Sequence, residues 1–121
     1  MKIELIKTKI DSKAIKELAE SSYGSMFKLA VDIEKGVIAA GGEFHADGEQ
    51  MLVKNGSKQE NIWCANFYPF EKPHNRIQYS ALINVRPQAG NRSMNVEDTE
   101  IRSKIKRLIE ILLMEEKDEI A

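Results

Sequence analysis

The chain has 121 residues, 42% of them hydrophobic and 31% charged, too apolar for a disordered chain and suited to one globular domain over residues 1–121. Its 18 basic and 19 acidic residues leave a net charge of −1, which gives no large attraction for a phosphate backbone and argues against nucleic acid as a partner. No run approaches the roughly 20 apolar residues of a membrane span, the charged start from Met1 to Lys7 does not read as a secretion signal, and the lone Cys64 can form no internal disulfide; the expectation is a soluble cytoplasmic protein.

In chain order, Ile3 and Leu5 alternate with Lys2 and Glu4, which predicts a strand over residues 2–7. Asp11 is placed to cap a helix over about residues 12–22, with Ile10 and Ile15 as a hydrophobic staple and Gly24 as its stop. Residues 26–34 alternate again, with Phe27, Leu29, Val31 and Ile33 on one face and Lys28, Ala30, Asp32 and Glu34 on the other. Glu34-Lys35-Gly36 suits a three-residue hairpin with Gly36 left-handed, leading to a strand over 37–44. The small run Ala39-Ala40-Gly41-Gly42 is weak strand material and predicts the close approach of a backbone, a helix or a ligand.

Residues 47–56 fit a short helix capped by Asp47 with Gln50, although Asn55-Gly56 would also serve a hairpin. Strands are expected over 61–68 and 77–86, the second with Ile77, Tyr79, Ala81, Ile83 and Val85 on one face. A last helix starts near residues 96–99. It lines up Ile101, Ile105, Leu108 and Leu112, and Ile109, Ile111 and Leu113 widen the apolar arc beyond what one sheet face requires. That width predicts a second contact, such as a homo-oligomer through this helix, while Glu115, Glu116, Asp118 and Glu119 oppose the helix dipole and predict fraying of the last few residues. The expected fold is α+β, a mostly antiparallel sheet of four to five strands with helices packed on one face, in the order β-α-β-β-α-β-β-α.

Several strings act together as a signature: Val31-Asp32-Ile33-Glu34-Lys35-Gly36, Gly41-Gly42-Glu43-Phe44-His45-Ala46-Asp47, Gly56-Ser57-Lys58-Gln59-Glu60-Asn61-Ile62-Trp63, Asn66-Phe67-Tyr68-Pro69, and Ile83-Asn84-Val85-Arg86-Pro87 with Gly90-Asn91-Arg92-Ser93. Through them the chain resembles a family of conserved hypothetical bacterial proteins, a domain of unknown function. The resemblance covers most of the chain and implies no substrate, cofactor or catalytic residue.

Three constellations could carry chemistry. Glu43, His45 and Asp47 recur every second residue, so an extended segment would align them as a divalent-metal site or an acid/base pair, with His74 as a further ligand; alternatively Asp47 only caps a helix, His45 bonds locally and His74 is an exposed loop residue. Asn66 and Tyr68 on one strand could meet Ser80, Asn84 and Arg86 on the next, with Asp32, to bind a small polar ligand, or could form an ordinary solvated sheet face. Arg86, Asn91 and Arg92 lie in a glycine-containing loop before a helix, which suits an anion, or they pair with nearby acids such as Glu97 and Asp98. Cys64 reads as a small buried hydrophobe and the basic cluster Arg102, Lys104, Lys106, Arg107 as a solvated helix side. These residues predict a binding domain for a small polar or anionic ligand, with a small enzyme using Glu43 or His45 and a protein-interaction subunit as the alternatives.

Overall fold

In the computed structural model, which describes residues 1–120, the strands β1 (Ile3–Ile6), β2 (Phe27–Asp32), β3 (Val37–Gly41), β4 (Ile62–Phe67) and β5 (Ile77–Gln78) form one sheet in the order β1-β3-β2-β4-β5, antiparallel at every pairing. Three helices, α1 (Ser12–Ser21), α2 (His45–Lys54) and α3 (Thr99–Leu112), complete the α+β fold. Among the described residues no helix is long and apolar enough to cross a membrane.

Local chemistry accounts for most element ends. Asp11 caps α1 by accepting from the Ala14 amide at 2.9 Å, and beyond the helix Gly24, at φ 83°, donates to the Ala19 carbonyl at 2.8 Å. Between β2 and β3 the Asp32 carboxylate accepts from the Glu34 and Lys35 amides, both at 2.9 Å, and Gly36 adopts φ 71°, so the turn is tied from within. The loop is four residues long rather than three, because Asp32 still pairs with Val37.

The helices do not share one face. Ile15 and Leu18 of α1 and Ile105 and Ile109 of α3 pack with Phe27, Leu29, Val31 and Ile38, whereas Leu52 of α2 packs on the opposite face with Ala30, Ala39, Ile62 and Cys64. The reason is side-chain size. Gly48 of α2 sits where an added Cβ would lie 3.0 Å from the Ala30 Cβ and 3.6 Å from that of Ala39, so these small residues let a helix backbone approach a face that alternation alone marks as polar. Each large aliphatic side chain fully buried in the two clusters contributes about 1.5–3 kcal/mol, and Phe27 and Phe67, paired across β2 and β4, add a tilted ring contact at 5.6 Å.

The strand expected over 37–44 stops at Gly41, because Gly41 and Gly42 take φ 102° and 84° and turn the chain into α2. The strand expected over 77–86 is only two residues long. Beyond it Ile77 and Tyr79 pack with the α1 and α3 cluster but Ala81 and Ile83 pack with the α2 cluster, so the chain crosses the sheet end and the five alternating residues do not share a face.

The broad apolar arc of α3 is filled within the chain by the sheet, by Ile10 and Ile33 and by the tail residues Leu113, Met114 and Ile120, leaving Ile111 exposed. The tail acids lie beyond the helix. Buried Arg76 donates to the carbonyls of Glu71, Glu115, Glu116 and Asp118, the last at 2.6 Å, and so holds this segment on the body of the protein. Ala121 lies outside the described residues.

A Cβ at Gly41 would collide with the carbonyl oxygen of Lys2, the residue before β1, at a φ that L side chains rarely adopt. Gly41→Ala is therefore expected to destabilise the fold by about 2 kcal/mol or more, read as a lower urea midpoint with an unchanged slope.

Candidate functional site

The candidate site is built on the outer edge of β4. One side of this strand pairs with β2 along all six residues, but β5 covers only Asn66 and Phe67 on the other. The buried backbone groups left unpaired on this edge at Ile62 and Cys64 are met by side chains. The Asn84 carboxamide accepts from the Cys64 amide and donates to the Cys64 carbonyl, both at 2.9 Å, as a neighbouring strand would, and it also donates to the Met94 carbonyl at 3.1 Å. Arg86 donates to the Ile62 carbonyl at 2.6 Å and to that of Glu60 at 3.5 Å, with its guanidinium 4.8 Å from the centre of the Trp63 ring.

Asn91 fixes the loop that carries these two residues. Its buried amide donates to the carbonyls of Asn84, Ser93 and Asn95 at 2.8, 3.0 and 2.9 Å, and its oxygen accepts from the Glu97 amide at 2.8 Å. The same loop does bind an anion, but the anion is its own. The Glu97 carboxylate accepts from the Arg92 amide, the Ser93 amide and the Ser93 hydroxyl at 2.8, 2.9 and 3.0 Å, and the Ser93 hydroxyl, followed by the two amides, holds its carboxyl below the usual range. Arg86 and Arg92 therefore do not converge on an open anion pocket.

Against this edge lies a cleft of about 560 Å³, lined by Glu49 of α2, Gln59 and Glu60 of the 3₁₀ turn Gln59–Asn61, and Ile83, Val85, Arg86, Gln88 and Ala89 of the return loop. A cleft of this volume matches a small metabolite. A Glu49 carboxylate oxygen stands 3.9 Å from the Arg86 guanidinium, and that oxygen is buried without a hydrogen-bond partner. Beneath lies Cys64, whose thiol burial pushes up to about 12, with Glu49 adding and Arg86 opposing; it is held as an unreactive thiol.

The other expected residues lie at the far end of β4. His45 opens α2 and its Nε2 donates to the Ala65 carbonyl at 3.0 Å; Glu43 is exposed, and Asp47 accepts from the Phe44 amide at 2.9 Å. Asp47 is thus the third residue of a helix capped at Phe44, not the cap itself. The common face expected of Glu43, His45 and Asp47 required an extended chain, and α2 begins too early to provide one. Among the described residues no group of three or more His, Cys, Asp or Glu side chains is placed to hold a metal ion. His74 is exposed on a separate turn, Pro73–Asn75.

Asn66 and Tyr68 do meet, both donating to the Gln78 side-chain oxygen at 2.9 and 3.4 Å, but Asn84 and Arg86 act on Cys64 and Ile62, and Asp32 ties its own turn. His45 bonds Ala65 while Arg86 bonds Ile62, positions roughly 10 Å apart along an extended strand, so the structure does not unite them as the general base and anion clamp of an enzyme. Sequence reasoning overlooked Glu49, Gln59 and Glu60. The available signal was Gly48, which marks the face of α2 against the sheet and puts Glu49 at the flank.

Replacing Asn84 with Ala leaves the Cys64 amide and carbonyl buried without partners, an expected loss of about 2–4 kcal/mol in denaturant unfolding. Burial lowers the His45 pKa, opposed by the hydrogen bond to the Ala65 carbonyl and aided by the nearby charge of Lys28. The unfolded chain then binds more protons just below its own titration near pH 6.5, and stability falls as pH drops through that window. An NMR titration should place the His45 midpoint below 6.5; a midpoint at or above that value contradicts the burial.

The search of curated proteins and the search of solved structures found no significant match. A family model, described as "Protein of unknown function (DUF5674)", matches residues 4–112, which contain α2, β4 and all of the cleft-lining residues, and the chain therefore belongs to that family.

Proposed function

We propose that this protein is a binding domain for a small polar molecule, with the cleft beside the outer edge of β4 as its site. The observation that carries this reading is the charge pair in the lining of the cleft, where the Glu49 carboxylate stands 3.9 Å from a guanidinium fixed by backbone carbonyls and the Trp63 ring. Two opposite charges held by the fold in one cleft offer a small polar molecule fixed partners of both signs.

The lining suits recognition. Glu49 and Arg86 are positioned by α2 and by the closed strand edge, Gln59, Glu60 and Gln88 offer further polar groups at the rim, and Ile83, Val85 and Ala89 form an apolar wall. Such a mixture of a few placed polar groups with apolar surface is typical of small-molecule sites. A cytoplasmic location goes with this reading, since Cys64 is a free, buried thiol.

A fragment screen observed through the amide resonances of ¹⁵N-labelled protein tests the proposal. Shifts are expected at Glu49, Gln59, Glu60 and residues 83–89. A screen whose hits lie only on the opposite end of the sheet, around Lys28, Asn66 and Gln78, or that leaves the cleft amides unmoved at every fragment, overturns it.

A further inference from the structure

We infer that the outer edge of β1 is an interaction surface for a second copy of this chain, β1 against β1, giving a two-fold dimer with one sheet continuous through both copies. β1 is the last strand of the sheet and pairs on one side alone, with β3. The opposite margin is closed, since Asn84 and Arg86 occupy the outer backbone of β4 and β5 is two residues long. Growth of the sheet at β1 and not at its other margin yields a closed pair of chains rather than a filament.

Register decides which backbone groups the edge offers. The Gly42 amide donates to the Lys2 carbonyl at 3.0 Å, which in this antiparallel ladder makes Glu4–Ala40 and Ile6–Ile38 the hydrogen-bonded pairs. Ile3 and Leu5 alternate with them and turn their N–H and C=O groups away from β3. The side chains are sorted too. Leu5 packs with the α2 cluster and Ile6 with the α1 and α3 cluster, so Ile3 and Leu5 flank the edge on the α2 face and Lys2 and Glu4 on the α1 face. Lys2 and Glu4 stand 3.0 Å apart with side chains 45% and 34% exposed, so each is open to a further ionic partner.

The charges then choose among the ways two such edges can meet. Self-pairing about a two-fold axis sets outward-turned residues opposite one another. With Ile3 opposite Leu5 of the second copy, Glu4 faces Glu4, a like-charge contact that opposes association. With Leu5 opposite Leu5, Glu4 faces Ile6 and Lys7 faces Ile3, charge against apolar surface. With Ile3 opposite Ile3, Lys2 faces Glu4 on both sides of the axis and Met1 faces Leu5. Those Lys2–Glu4 pairs fall at the non-hydrogen-bonded positions, where facing side chains approach most closely. This last register is complementary on both faces. It covers Met1, which is 60% exposed, together with half-buried Ile3 and Leu5 in one apolar strip, and lays alternating charges along the other side.

Sedimentation equilibrium from micromolar to submillimolar concentration tests the pairing on the protein and on Lys2→Glu and Glu4→Lys. The wild type should form a reversible dimer in which the Ile3 and Leu5 amides gain hydrogen-exchange protection as concentration rises. Each single variant turns both facing pairs into like charges and should weaken the dimer about tenfold or more, with the dispersed amide spectrum of the folded chain retained. Mixed in equal amounts, the two variants should associate with each other, because the mixture again sets acid against base at both pairs. A wild type that stays monomeric throughout, a dimer that leaves the Ile3 and Leu5 amides unprotected, single variants that dimerise as the wild type does, or a mixture that stays monomeric overturns the inference. None of these outcomes bears on the cleft as a binding site.

Discussion

The carboxamide of Asn84 takes the place of a neighbouring strand along β4, exchanging two hydrogen bonds with the backbone of Cys64. An interior strand edge in a dry environment must have its amides and carbonyls met, and a side chain that offers one donor and one acceptor at the right separation meets them without continuing the sheet. Because β5 ends after two residues, the segment that follows is free to leave the sheet plane, form two 3₁₀ turns and build one wall of a cleft. Arg86 repeats the device at Ile62, and Asn91 holds the loop that presents both residues.

A second constraint comes from the opposite side of that cleft. The glycine and alanines where α2 meets the sheet bring its backbone close to the β2–β3 hairpin, which seats Glu49 at the helix flank over Cys64 and Arg86. The same placement sends His45, at the start of α2, to the far end of β4. One helix thus separates two groups of polar residues that a flat reading of strand faces would have merged. The loop before α3 shows the same economy of contacts, with Glu97 satisfying amides that would otherwise invite an external anion.

Much of the local architecture was legible in the chain. The Asp11 cap, the Gly24 stop, the left-handed Gly36 and the close approach at residues 39–42 each follow from chemistry among near neighbours, and each is present. The candidate site was legible only in part. Arg86 lines the cleft, but Asn84 and Asn91 serve the backbone, and Asn66 and Tyr68 belong to another surface. An Asn that binds a ligand and an Asn that replaces a strand have the same sequence signature, since the distinction lies in which distant backbone group stands opposite.

What the sequence by itself determined is therefore the α+β class, the order of most elements and the turn chemistry, because periodicity, capping and glycine conformation act within a few residues. Tertiary structure alone decided that the helices flank both sheet faces, that the alternation after Gln78 does not extend a strand, and that Glu49 and Arg86 meet. The physical reason is that these outcomes depend on pairings between segments some 20 to 40 residues apart, such as Cys64 with Asn84 and Glu49 with Arg86, whose steric and hydrogen-bond fit exists only once the chain has closed around its core.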